Sequence, residues 1–116
     1  MSVIIYHNPR CSKSRQTLDL LTQKGIQPDV IKYLEDTPSI ETLKTIYQQL
    51  GLTSVRDMMR TKEDVYKELN LADDSLSDDA LFNAMQQNPK LIERPIVVTN
   101  NKARLGRPPE QVLEIL

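Results

Sequence analysis

The feature that most restricts the fold is the interval between two short runs rich in β-branched residues. "SVIIY" at 2–6 and "DVIKYL" at 29–34 both read as strands. Between them come a polar turn, "HNPR", and then Leu18, Leu20 and Leu21, which supply the apolar positions of one helix. Gly25 stands where such a helix ends, because a residue past a helix C-terminus commonly takes the left-handed conformation. A crossover of this length, holding a helix, joins parallel neighbours rather than a hairpin. The first third of the chain is therefore a βαβ unit with a right-handed connection.

The remainder extends that unit. Thr37 followed by Pro38 predicts an N-cap with proline at the first helical position. The helix beyond them carries Ile40, Leu43, Ile46, Tyr47 and Leu50 at helical spacing and stops at Gly51. "SVRDMMR" and "EDVYKELNL" predict short helical pieces. In "SDDALFNAMQQNP", Ser77 caps, two aspartates occupy the first turn, and Pro89 follows the end. Ile96 to Thr99 is a strand, Asn100 and Asn101 suit a tight hairpin turn, and Lys102 to Leu105 returns antiparallel. "PPEQVLEIL" predicts a closing helix. The order βαβ, helical insertion, ββα gives an α/β fold: a thioredoxin-like four-stranded mixed sheet with flanking helices. It forms a single domain over residues 1–116, with an α-helical insertion at about 37–90.

Charge and composition exclude more than they assign. Fifteen Lys and Arg against sixteen Asp and Glu give a net charge of −1, which offers nothing to nucleic acid or an anionic membrane. No stretch approaches the ~20 apolar residues of a membrane helix, and "MSVIIYHNPR" lacks the basic start of a signal peptide. A cytoplasmic monomer is the expectation, and one cysteine fits a reducing compartment. The charge is uneven, however. Residues 1–18 carry Arg10, Lys13 and Arg15 without an acid, and residues 94–109 carry Arg94, Lys102, Arg104 and Arg107 without an acid. These are two solvated basic faces, or one cationic site if the fold joins them.

Cys11 decides between those readings. A lone cysteine is commonly a small buried hydrophobe. This one follows a strand and a polar turn, where α/β folds place ligands. It also opens a helix, capped by Asn8 or by Ser12, whose free N–H groups and dipole favour an anion. Arg10, Lys13 and Arg15 add positive charge, and the Ser12 and Ser14 hydroxyls stand close in sequence. Such surroundings lower a thiol pKa from about 8.5 into the range of roughly 3.5–7.5.

Counting removes several chemistries. The Cys-x5-Arg loop of phosphatases fails because Thr17 stands six residues on, and Cys-x-x-Cys fails because position 14 is Ser14. His7 and Cys11 alone are too few for a structural zinc site, so no metal is expected. His7 reads equally well as a polar turn residue. Arg94-Pro95 opens the strand expected to face the thiol, the location of a cis proline in thioredoxin-like folds.

"YHNPRCSKS", "RPIVVT" and "RLGRPPEQVLEIL", in this order and spacing, resemble the glutathione/glutaredoxin-coupled arsenate reductases, and the resemblance spans essentially the whole chain. It implies Cys11 as the nucleophile, and His7 and Ser14 as residues that set up the thiolate. It implies Arg60, Arg94 and Arg107 as the arginines that hold arsenate; only the resemblance selects Arg60 over Arg56. It further implies arsenate as substrate, glutathione as co-substrate, glutaredoxin as partner and no tightly bound cofactor. Three departures from the best-known members stand out: the sequence stops at Leu116 short of their C-terminal extension, Gly106 lies between Leu105 and Arg107, and the motif interior is Ser-Lys. Two further readings share the fold. One is a glutathione-dependent thiol oxidoreductase without arsenate activity. The other is an Spx-type regulator that binds RNA polymerase, against which Ser14 argues, since those sensors mostly carry Cys-x-x-Cys.

Overall fold

The computed structural model describes residues 2–116 and divides them into two compact units, residues 2–36 with 94–116, and residues 37–93. The first unit holds a four-stranded sheet in the order β2-β1-β3-β4. β1 (Ile4–Tyr6) pairs parallel with β2 (Asp29–Ile31) and antiparallel with β3 (Ile96–Thr99), which pairs antiparallel with β4 (Lys102–Leu105). The expected mixed sheet is present. Its second strand is shorter than "DVIKYL" suggested, because the chain turns at Lys32, whose carbonyl accepts the N–H groups of Glu35 and Asp36.

Register follows burial. Ile5 opposes Val97 at the centre, both fully buried, and with Val3, Leu21, Val112 and Ile115 they form one apolar cluster. Leu21 comes from α1 (Ser12–Gln23), and Val112 and Ile115 come from the closing segment, so these two elements cover one face of the sheet. Each such side chain contributes about 1.5–3 kcal/mol on burial. The closing segment, Pro109–Ile115, is a 3₁₀ helix rather than the α-helix expected. α1 ends as the sequence suggested: Gly25, at φ 78°, donates to the Thr22 carbonyl, and Ile26 donates to Leu21, a Schellman closure. The β3–β4 turn places Asn100 and Asn101 at φ 56° and 61°, the conformation of a two-residue type I′ hairpin.

The second unit is helical. α2 (Ile40–Leu50) is capped by Ser39, whose Oγ accepts the Thr42 N–H at 3.1 Å, and not by Thr37. A serine side chain reaches the third N–H of its helix, and that bond fixes the boundary two residues later than the Thr37-Pro38 pair implied. A 3₁₀ turn (Val55–Met58) and the single-turn α3 (Asp64–Glu68) follow, then α4 (Asp78–Gln87), capped by Ser77 at 3.1 Å from the Ala80 N–H. α2 and α4 meet through the edge-on rings of Tyr47 and Phe82, 5.7 Å apart. No helix among the described residues is long and apolar enough to cross a membrane.

Candidate active site

The turn after β1 is built by Asn8. Its carbonyl accepts the Cys11 N–H at 3.0 Å and its side-chain Oδ1 accepts the Arg10 N–H at 3.0 Å, with Pro9 between them. Asparagine and proline favour such a turn because one bonds its own backbone and the other presets φ. The consequence is placement. Cys11, not Asn8 or Ser12, is the N-cap of α1, with extended backbone (φ −92°, ψ 124°) and its carbonyl taking the first helical bond from Arg15. A cap side chain points at the second and third N–H groups of its helix. Here those belong to Lys13 and Ser14.

Burial pushes the Cys11 thiol up, since desolvation disfavours the charged form. The Ser14 N–H, the Arg94 guanidinium, the Lys13 N–H and Arg107 together pull it further down, so the net shift is below the usual thiol range. Arg94 and Arg107 therefore act electrostatically on Cys11 although they enter from the start of β3 and from the residues after β4. They also meet each other: Arg107 Nη1 donates to the Arg94 carbonyl at 3.1 Å. Both arginines precede prolines in cis peptide bonds, Arg94-Pro95 and Arg107-Pro108. The second of these carried no sequence signal beyond the Arg-Pro pair itself.

Ser14 is fully buried, and its hydroxyl has two neighbours. Its Oγ accepts the Asn8 N–H at 3.0 Å and lies 2.6 Å from His7 Nδ1. Burial first, then Lys32 and Arg15, lower the His7 pKa from its ordinary value, which favours the neutral imidazole. A neutral ring with its proton on Nε2 takes the serine hydrogen at Nδ1. The hydroxyl thus ties the strand end, the turn and the helix start together, while the Ser14 main chain addresses the thiol. His7, 5% exposed, is fastened to the frame of the site, its own N–H donating to the Ile31 carbonyl at 2.8 Å.

Arg60 belongs to the second unit. Its N–H donates to the Leu91 carbonyl at 2.7 Å, and its guanidinium lies 3.3 Å from the Glu63 carboxylate. Arg56, which composition could not separate from Arg60, is engaged by its Nε and Nη2 with the carbonyls of Leu71 and Asp73 at 3.0 and 2.8 Å. That fork ties down a loop. Sequence reasoning overlooked Lys32 and Arg15 as neighbours of His7, and it overlooked the Lys13 N–H. The first needs the sheet register and the second needs the helix boundary, and neither is a motif. Among the described residues no three His, Cys, Asp or Glu side chains gather as a metal site would require.

A thiol at a helix start, with two arginines acting on it from the far strands, is an arrangement for attacking an oxyanion. Comparison with known proteins points the same way. The family model described as "ArsC family" matches residues 6–115. The protein called "Arsenate reductase" from Haemophilus influenzae is 57% identical over the full length of both chains. "Uncharacterized protein YfgD" of Escherichia coli K12 is 63% identical over 98% of this chain and 96% of its own. Among solved structures, "Arsenate reductase from Vibrio cholerae" superposes with a TM-score of 0.99 at 72% identity, covering 100% of this chain and 98% of that one. The chain belongs to the ArsC family of thioredoxin-like proteins.

Proposed function

We propose that the protein is an arsenate reductase in which Cys11 is the nucleophile, glutathione the small-thiol donor and glutaredoxin the resolving partner. The observation that carries this reading is the position of Cys11: cap of α1, facing two helix N–H groups and under the charge of Arg94 and Arg107. Relatives named arsenate reductase over the whole length of the chain support it. A low-pKa thiol belongs in a reducing compartment, the cytoplasm on this reading.

The chemistry follows from the charges. Arsenate and thiolate are both anions, and guanidinium forks bring them together by neutralising the oxygens. Cys11 Sγ attacks As(V), an S–As bond forms, and one oxygen leaves as water. Glutathione adds to the arsenic, displacing a second water, to give a Cys11-S-As-S-glutathione species. A glutaredoxin thiolate then attacks the glutathione sulfur, and the S–As electron pair reduces As(V) to As(III). The electrons come from two external thiols, which leave as a mixed disulfide. One cysteine cannot supply both, so the donors must come from outside the chain. Hydrolysis of As(III) from Cys11 releases arsenite. Arginines preset for the accumulating charge lower the barrier without reorganising. Arg60 is retained as the third oxyanion ligand on family resemblance alone.

Arsenate-dependent NADPH oxidation with glutathione, glutaredoxin and glutathione reductase tests the whole reading. Wild type should turn over and Cys11→Ser should not. Sustained reduction with thioredoxin and no small thiol would refute the glutathione route. Turnover of a glutathione mixed disulfide with none of arsenate would refute arsenate as substrate and favour the plain thiol oxidoreductase.

A further inference from the structure

In the second unit, residues 60–63 form one tight turn with a pinned backbone. Met59 bridges to Ile92, the Arg60 N–H donates to the Leu91 carbonyl at 2.7 Å, and the Glu63 N–H returns to the Arg60 carbonyl at 3.3 Å. The turn brings the two side chains together, and Arg60 Nη2 lies 3.3 Å from Glu63 Oε2.

Two features set this carboxylate apart. Glu63 is the N-cap of α3, where a side chain ordinarily accepts an N–H of the first turn. It makes no such bond and is turned back onto Arg60 instead. The pair is also the better covered. In Lys44–Asp79 and Arg104–Glu114 the acid is 80% and 60% exposed, whereas Arg60 and Glu63 are 29% and 26% exposed. Water screens their attraction less. Yet the separation exceeds the roughly 2.7–2.9 Å of a strong charge-assisted bond, so the contact can yield to an anion of better fit.

We infer that Glu63 is an intramolecular competitor for the oxyanion: its carboxylate holds the Arg60 guanidinium, and arsenate must take that donor from it. The inference rests on the proposed role of Arg60 as an oxyanion ligand. Displacing a carboxylate subtracts from affinity without altering the attack by sulfur, so Glu63 sets KM and leaves kcat alone.

The test reads arsenate binding by calorimetry in the Cys11→Ser background, where no covalent step follows, and KM and kcat with Cys11 present. Glu63→Gln keeps the shape and removes the charge. It should tighten binding roughly twofold to fivefold, the worth of an ion pair partly open to solvent. KM should fall by the same factor with kcat unchanged. Asp64→Asn removes the adjacent, exposed charge and should leave both constants as they are. In an Arg60→Ala background the gain from Glu63→Gln should vanish. Glu63→Ala carries the same expectation should the glutamine variant fail to fold. Unchanged or weaker binding on loss of the Glu63 charge, with Arg60→Ala weakening it, overturns the inference and leaves Arg60 as an oxyanion ligand. Equal tightening by Asp64→Asn overturns it too, because net charge would then account for the gain. Binding untouched by Arg60→Ala refutes the oxyanion role of Arg60, and no arsenate binding in any variant refutes the substrate assignment; the inference falls with either.

Discussion

The starts of α1, α2 and α4 use one backbone device for two ends. Ser39 and Ser77 each place a hydroxyl oxygen on the third N–H of their helix, and each helix has acid in its first turn, Glu41 in α2 and Asp78 with Asp79 in α4. Those carboxylates neutralise the helix dipole. At α1 the cap is a thiol, its first turn has no acid, and Lys13 and Arg15 lie there instead. The uncompensated dipole and N–H groups are left to the sulfur. The capping position stabilises two helices and, on the proposed function, activates a nucleophile at the third.

Exchanging the caps should have the largest effect. Cys11→Ser turns the α1 start into one resembling α2 and should abolish arsenate reduction, by roughly a thousandfold or more, as removal of a nucleophile does. Melting should show the fold retained. The same variant isolates a pH effect. Because the folded thiol pKa is depressed, the unfolded chain binds more protons between that value and about 8.5. Wild-type stability should therefore rise with pH through that window, be fully present above it, and be lost as pH falls through the folded pKa. Cys11→Ser should lack this contribution. Denaturant titrations across pH for both proteins check it.

The next effect concerns the arginines assigned to the oxyanion. Lysine replacement of Arg94, Arg107 or Arg60 should each lower kcat/KM about tenfold, because an ammonium cannot reproduce the planar fork. Arg56→Lys should leave kcat/KM unchanged and reduce stability, since its fork holds the Leu71 and Asp73 carbonyls. Steady-state kinetics and denaturation on the four variants separate the two roles. Equal kinetic losses in all four would break the assignment.

Removing a structural cap should matter less. Ser77→Ala should cost about 1 kcal/mol of stability, with the Cys11 alkylation profile unmoved. The smallest change gives the sharpest contrast. Lys13→Glu puts an acid into the first turn of α1, as α2 and α4 already have. Stability should rise by a few tenths of a kcal/mol, while the alkylation midpoint shifts upward because the new charge opposes the thiolate. If stability and reactivity moved together, the division between the two kinds of cap would be mistaken.

Local chemistry made much of this legible. The Asn100-Asn101 turn, Gly25 closing α1, Gly51 at φ 68° closing α2, and Ser77 capping α4 are each set by what one or two residues can do with their own backbone, and each was readable in order. So was the mixed sheet, because the interval between β1 and β2 admits a crossover and the Asn pair admits only a hairpin. Boundaries were less legible where several residues could cap: Thr37 yields to Ser39, and Asn8 and Ser12 yield to Cys11. Ser39 prevails because its side chain reaches the third N–H of its helix, and Cys11 because its extended backbone turns its carbonyl to the Arg15 N–H, matters of a few ångströms that composition does not encode.

The sequence by itself determined that this chain has one thiol, that the thiol opens a helix among cations, and that no second cysteine can close a dithiol cycle. Only the tertiary structure decided which distant groups act on it. Arg94 and Arg107 reach Cys11 because β3 and β4 are laid beside β1 in a fixed register. Ser14 spends its hydroxyl on His7 and Asn8 and offers the thiol its main chain, because burial leaves the hydroxyl no other partner. Spacing along a chain fixes which groups can share a helix turn. Which groups share a site across a sheet depends on strand pairing, which sums many weak contacts far apart in sequence.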